Sequence, residues 1–486
     1  MLKRILFTSL LLAFLGILIN CSAQSTFNIL VEDTLYDHQM HDAVELSSGN
    51  IIIVDIKNLE PPDFCSRLLK INSNGRVLLQ KDIKYSGYPS GLLSIVQRSD
   101  NELILCGVVM ENGISKLWLC VLDTSLNLVN NYFYSLNGYK LQMSKIKSVS
   151  NNELICFGTL QDTSMYQTPF TFMYRFSSSF DSLHFKLFDD HWSLGQDLVE
   201  RNDFKGYYLV VLGFNGTGDP GKIISLDLSF QVKKTVVMPN VMNLSCLKYS
   251  DNSHLIVTGE YSYNWPVNNR RDIGVLKYDT LLNLINSNAF GKSDTEDFPG
   301  LQNNLDLTNV HSIFIGGTSN MGPDEFLTQD SWYILNNIDT SLNLNWQRYY
   351  GGDGYYTLYG VLATRDGGCL MYGTFWDYHN TQKYIRYLSL IKVDKNGILL
   401  GFDGKPSPLL QNVILYPNPG NDWVNVMTQL PNTFIDFFDI AGKTLLKRPL
   451  SQGLTQIETL GLNSGMYIYR VFSNTKTIQT GKWIKD

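Results

Sequence analysis

The chain has 486 residues, of which 17% are charged and 12% aromatic, with a formal net charge of −6. That is too long for one ordinary core and too aromatic for a disordered protein, so several domains or a repeat array are expected. The mild negative balance gives no reason to expect nucleic acid or an anionic membrane as a partner.

The first residues place Lys3 and Arg4 before an apolar stretch, residues 5–19, followed by Asn20-Cys21-Ser22-Ala23. This is the layout of a secretory signal peptide, predicted over residues 1–23 with cleavage after Ala23. Cys21 offers a second reading, a lipidated cysteine, against which Asn20 stands where such sites want a small residue.

From there to residue 400 one unit recurs. Its clearest copy spans residues 99–129. A tight turn, Ser99-Asp100-Asn101, leads into an apolar run over 103–109. A looser loop and a second apolar run over 116–122 follow, ending in Asp123-Thr124-Ser125-Leu126-Asn127. The runs are too short for helices and are bracketed by turn residues. They are apolar at consecutive positions, as strands are when both faces are covered.

The unit aligns seven times, with first runs at 51–54, 103–109, 154–157, 207–212, 254–258, 310–315 and 369–372. Six of the seven end in glycine: Gly107, Gly158, Gly213, Gly259, Gly316 and Gly373. Glycine there suits a bend or a close backbone approach. The second runs end in turns that open mostly on aspartate, at Asp123, Asp227, Asp279, Asp339 and Asp394. Aspartate bonds its own backbone two residues on, and Asn or Gly suits the left-handed position.

A period of about 50–55 residues with four short strands per unit reads as a propeller blade. The predicted fold is therefore all-β: a seven-bladed β-propeller over 24–400, then a small C-terminal Ig-like β-sandwich. Residues 93–98 and 360–364 exemplify inner strands, and 128–134 an outer one. A propeller leaves an open edge unless its ends meet, so residues 27–31 are expected to pair near 388–393. This body resembles divergent propellers of secreted Bacteroidetes proteins, most clearly in Trp346-Gln347-Arg348-Tyr349-Tyr350-Gly351-Gly352-Asp353 and Asp366-Gly367-Gly368. Those families share a fold without one shared activity.

Cys106, Cys120, Cys156, Cys246 and Cys369 lie inside apolar runs with no CxxC pair, so they are expected as small core residues. Neither a metal site nor a cofactor is expected from their spacing.

After residue 400 the composition shifts to glycine and proline, and 401–412 reads as a linker. Short β runs follow at 413–416, 423–427, 433–440, 466–472 and 477–484. Leu415-Tyr416-Pro417-Asn418-Pro419, then Phe438-Asp439-Ile440-Ala441-Gly442-Lys443, Asn463-Ser464-Gly465-Met466-Tyr467 and Thr480-Gly481-Lys482-Trp483 appear in order. This pattern resembles the type A sorting domain of the type IX secretion system, here over 413–486. The resemblance carries Pro417, Asn418, Pro419, Gly442, Gly465, Tyr467, Gly481 and Lys482 as sorting residues. It implies the type IX secretion machinery as partner, and export through the periplasm to the outer-membrane surface or the medium.

No catalytic motif stands out: there is no GxSxG, HExxH or P-loop. In an antiparallel four-stranded blade the first and third connections share one face, and the second connection shares the other with the link to the next blade. The first set is tight and repetitive; the second is long, irregular and aromatic. Irregular loops on a rigid scaffold are where binding sits. Trp192, Trp265, Tyr356, Trp376 and Tyr378 are therefore the expected ligand face, for a glycan or protein. The function expected is a non-enzymatic binding module. The alternative is a propeller-class glycosidase or lyase with funnel carboxylates such as Asp42 and Asp197.

Overall fold

The computed structural model describes residues 25–485 apart from 34, 59–62, 86, 137, 164–167, 189–192, 214–219, 265–267, 293–294, 310–311, 323–325, 382, 400–412, 417–419, 429–431, 440–441 and 474–475. The predicted signal peptide and linker lie outside the described residues, as do Trp192, Trp265, Pro417, Asn418 and Pro419.

The described chain is all-β, with one 3₁₀ turn at Ser150–Asn152. Seven antiparallel sheets precede residue 400. The first holds Asp37–Glu45, Ile51–Asn58, Phe64–Ile71 and Val77–Ile83 in that order. The next four sheets repeat this meander, opening on Ser90–Ser99, Lys140–Ser148, Ser193–Glu200 and Cys246–Asp251. In the sixth the first strand is split into Asp297–Pro299 and Leu305–Asn309. The seventh holds Tyr355–Ala363, Cys369–Trp376 and Tyr387–Val393, and its fourth strand is Phe27–Val31. Phe27 lies opposite Lys392 and Val31 opposite Leu388, the closure that the sequence leads one to expect.

The first strands of the seven sheets touch one another in cyclic order, the seventh touching the first. Seven apolar clusters fill the gaps between consecutive sheets. One of them joins Ile51, Ile53 and Leu69 of the first sheet to Leu370, Leu388 and Leu390 of the seventh. Each middle strand thus faces a cluster on both sides, which is why its apolar residues run consecutively. The six described cysteines are buried and unpaired.

Two local devices recur. The first strand carries a bulge between Met40 and Asp42, Leu92 and Ser94, Leu141 and Met143, Gly195 and Asp197, and Leu358 and Gly360. A bulge bends the strand and drives its carbonyl towards the neighbour. A Cβ on Gly107 would lie 1.9 Å from the Gly91 carbonyl oxygen, and on Gly373 2.2 Å from that of Thr357. At Gly107 and Gly373 the close approach expected of the glycine thus falls beside a bulge.

The second device is the turn after the third strand. Asp123 Oδ1 accepts the Ser125 and Asn127 N–H groups at 2.9 and 2.8 Å, and Asp279 and Asp339 repeat the arrangement. Here the expected residue type was wrong. Glycine takes the left-handed position only at Gly75 and Gly397; elsewhere it is Leu126, Phe180, Phe230, Leu282 and Leu342. A left-handed residue costs about 1–2 kcal/mol. All five side chains are buried, and burying a large apolar side chain contributes about 1.5–3 kcal/mol, which offsets the strain.

The tail forms two sheets. Val413–Tyr416, Trp423–Thr428 and Gly453–Glu458 make one. Thr444–Leu450, Thr433–Phe438, Gly465–Ser473 and Lys476–Lys485 make the other. They share one core that includes Val424, Val426, Phe437, Val471 and Trp483. Thr444–Leu450 and Gly453–Glu458 were missed in the sequence because each is mostly exposed, with Leu450 and Ile457 as its core residue.

Candidate functional site

The split strand of the sixth sheet decides what occupies the centre. Pro299-Gly300 breaks it: Gly300 and Asn304 both still bond to Gly316 of the second strand, while residues 301–303 loop out of the sheet. Leu301 and Gln302 donate their N–H groups to the Leu358 and Tyr359 carbonyls at 3.1 and 2.7 Å. The Asn303 amide donates to Asp42 Oδ1 at 2.8 Å and to the Tyr372 hydroxyl at 3.0 Å. Lys145 Nζ donates to the Gln302 carbonyl at 2.8 Å, and the Asn304 backbone N–H lies 3.3 Å from Cys246 Sγ. Residues 301–304 therefore reach the first strands of sheets one, three, five and seven, and cross the space between them.

The two carboxylates expected in a funnel are committed to the scaffold. Asp42 Oδ2 accepts Ser94 Oγ–H at 2.7 Å and the Ile95 N–H at 2.9 Å, both on the next sheet. Asp197 Oδ2 accepts the Leu247 N–H at 2.9 Å, again one sheet on, and Lys147 lies 3.0 Å from Oδ1. Asp306 repeats the tie to the Ala363 N–H at 2.9 Å. Burial pushes the Asp42 carboxyl up, and the hydrogen bonds from Ser94 and Ile95 oppose it without cancelling it. Burial also pushes Asp197 up, but Lys147, Lys145 and the Leu247 N–H outweigh it and hold the carboxyl below its usual range. His41 occupies the bulge, and desolvation pulls its imidazole down to about 4. Among the described residues no group of three or more His, Cys, Asp or Glu is placed to hold a metal ion.

Asp197 is 1% exposed. Its loss leaves the Leu247 N–H without its acceptor while half-buried Lys147 can turn to water, so Asp197→Ala is expected to lose about 1–3 kcal/mol in urea unfolding at pH 7. A depressed carboxyl stabilises above its unfolded pKa and loses the contribution as pH falls through its folded one. The gap between wild type and variant should therefore shrink on acidification below pH ~4. An unchanged gap at pH 3 would remove Asp197 from that role.

The aromatic residues fall differently from expectation. Tyr356 and Trp376 are strand residues, 6% and 4% exposed, not loop anchors. The Tyr356 hydroxyl donates to Asp353 at 2.9 Å, and Trp376 Nε1–H to the Lys383 carbonyl at 2.8 Å. Tyr378 is half-buried, its hydroxyl 2.8 Å from Asp330 Oδ1. Trp376 is instead the floor of a cluster built from the second connections of sheets six and seven. Tyr384 stacks on it at 5.6 Å between centroids and 27° between planes. Phe326 stands edge-on to both, at 5.2 and 5.3 Å. Tyr384 is 68% exposed. Sequence reasoning passed over Tyr384 and Phe326, each a lone ring in a polar loop.

In the tail, Gly442 has φ +84° and Gly465 φ +152°, so both take backbone conformations that side chains disfavour. Tyr467 is buried and its hydroxyl donates to the Asn463 carbonyl at 2.5 Å. A Cβ on Gly481 would lie 2.5 Å from the Tyr469 ring, so that ring covers the glycine. Lys482 is exposed beside fully buried Trp483. Residues 414–486 match the family described as secretion system C-terminal sorting domain. The tail is a type IX sorting domain. Such a domain marks its chain for export to the cell surface or the medium. Among the described residues no helix is long and apolar enough to cross a membrane.

None of the curated proteins matches the chain. Among solved structures it is similar to PorZ, a surface component of the type IX secretion system of Porphyromonas gingivalis. The identity is 9% and the TM-score 0.30, over 97% of this chain and 88% of that one. It is also similar to Drosophila semaphorin 2a, at 8% identity and TM-score 0.47 over 96% and 98% of the two chains. An oligogalacturonate lyase in complex with manganese gives 9% and 0.44 over 76% and 97%. Likenesses this distant say nothing of this chain's activity.

Proposed function

We propose that the chain is an exported binding protein. The seven sheets are the blades of a closed seven-bladed β-propeller over 24–400, and the tail over 413–486 is an Ig-like sandwich that the type IX machinery recognises. A signal peptide over 1–23 takes the chain to the periplasm, and the linker over 401–412 separates the two folded parts. The ligand, a glycan or a protein, is met on the side of the second connections.

The loop that crosses the centre supports the non-enzymatic reading. Propeller enzymes need groups converging on an open funnel. Here residues 301–304 cross that region, and Asp42 and Asp197 are bonded to neighbouring backbones. The rival glycosidase or lyase would need glycan turnover that vanishes in Asp42→Asn or Asp197→Asn; retained turnover in both, or none in wild type, removes those two residues from catalysis.

Export has its own test. Among the described residues the seven clusters of the ring contain no tail residue, so removing 413–486 should leave the ring folded. Fractionation of the native host is expected to find this truncated protein in the periplasm and the full chain at the surface or in the medium. Equal surface levels of the two would overturn the sorting role.

A further inference from the structure

We propose that Tyr384 and Phe326, on their Trp376 floor, form a stacking subsite for a neutral sugar ring. This rests on the binding-module reading and gives it a place and a ligand class.

The cluster is preformed. Trp376 is anchored by its N–H on the Lys383 carbonyl, and Tyr384 lies nearly parallel above it. The Arg386 guanidinium lies over the Phe326 ring, 5.0 Å from its centroid. Arg386 is itself held by Asp37 Oδ2 at 2.6 Å, so the cluster is tied to the first sheet as well. An aromatic ring that is 68% exposed and backed by a buried indole needs no rearrangement to receive a flat apolar partner.

The surroundings are polar. Asp377 follows Trp376 in the chain, and Asp330 is bonded to Tyr378, whose ring lies 5.8 Å from that of Trp376; His379, Asn380 and Lys383 are exposed. Asp330 Oδ1 receives the Tyr378 hydroxyl at 2.8 Å and lies 3.0 Å from His379 Nε2; Asp377 receives the Asn380 amide at 3.0 Å. A sugar ring has this duality: one face of C–H groups and an equator of hydroxyls. The C–H face covers Tyr384, and the hydroxyls donate to carboxylates.

Charge selects among sugars. Two carboxylates at the rim oppose one lysine, because the Asp37 carboxylate already answers Arg386. A uronic or sialic acid would bring a third negative charge to the same spot. The site therefore favours an uncharged pyranose over an acidic one.

The experiment is a panel of immobilised neutral and acidic oligosaccharides, probed with the mature full chain and with Tyr384→Ala, Tyr384→Phe and Asp330→Asn. Tyr384 is exposed, so its truncation leaves the core untouched. The expected result is binding to a neutral oligosaccharide, weakened about 30-fold by Tyr384→Ala and retained by Tyr384→Phe. Glycan binding unaffected by Tyr384→Ala would overturn this subsite while leaving the binding-module reading in place. Selective binding of acidic glycans, or no glycan binding at all, would overturn the ligand class. A protein ligand captured in the absence of any glycan binding would keep the module and discard the sugar.

Discussion

A chain that begins after Val31 is expected to lose most of its stability. Phe27–Val31 is the outer strand of the seventh sheet, paired along its length with Tyr387–Val393, whose residues from Leu388 onwards are all buried. Without it that buried strand becomes an open edge, which invites pairing with another molecule. Phe27 is 7% exposed and packs over Gly75, in the third-strand turn of the first sheet. Phe27→Ala alone should cost about 3–5 kcal/mol, the range for truncating a buried aromatic. Deleting residues 25–31 removes in addition the backbone pairing and the Ser25 carbonyl that accepts Lys392 Nζ–H at 2.6 Å. Urea unfolding should show a lower midpoint for Phe27→Ala, and aggregation for the deletion. A midpoint equal to wild type in both would mean that the closing strand is dispensable.

The second large effect is expected at Trp483. It is fully buried between the two tail sheets, 5.7 Å from the Phe437 ring and 6.0 Å from that of Tyr467. Among the described residues the tail core has eleven buried side chains, and a domain of this size rarely holds more than about 3–5 kcal/mol. Trp→Ala in a core costs about the same amount. Trp483→Ala should thus unfold the tail and leave the ring intact. Limited proteolysis of the full chain would show the tail digested and residues 25–399 protected, and fractionation would show the variant retained in the periplasm. A protease-resistant tail, or normal surface levels, would refute the expectation.

The repeat, the closing strand and the sorting motifs could be read from residues because each is written locally. Asp123-Thr124-Ser125-Leu126-Asn127 specifies its turn within five residues, and consecutive apolar runs record that both faces are covered. The crossed centre could not be read that way. Residues 301–304 are held by partners on sheets one, three, five and seven, and Pro299-Gly300 only says that a strand stops. Composition also cannot say which side of a ring faces water. Trp376 and Tyr356 were expected outside and are core, while Tyr384 was passed over. Phe180 and Phe230 in left-handed turns show the same limit: burial, absent from local sequence, overrides propensity.

The residues at the centre also bear on how the molecule comes apart. Repeat arrays whose units touch only their neighbours can lose end repeats one at a time. Here no unit is an end, because Phe27–Val31 and Tyr387–Val393 share a sheet. Nor is each unit coupled to two others alone, since Gln302 and Asn303 bond to Lys145 and Asp42 on sheets that do not adjoin their own. Melting one sheet would break bonds on the far side of the circle. The seven repeats should accordingly unfold as a single all-or-none unit, with no partly melted ring for a protease outside the cell to find.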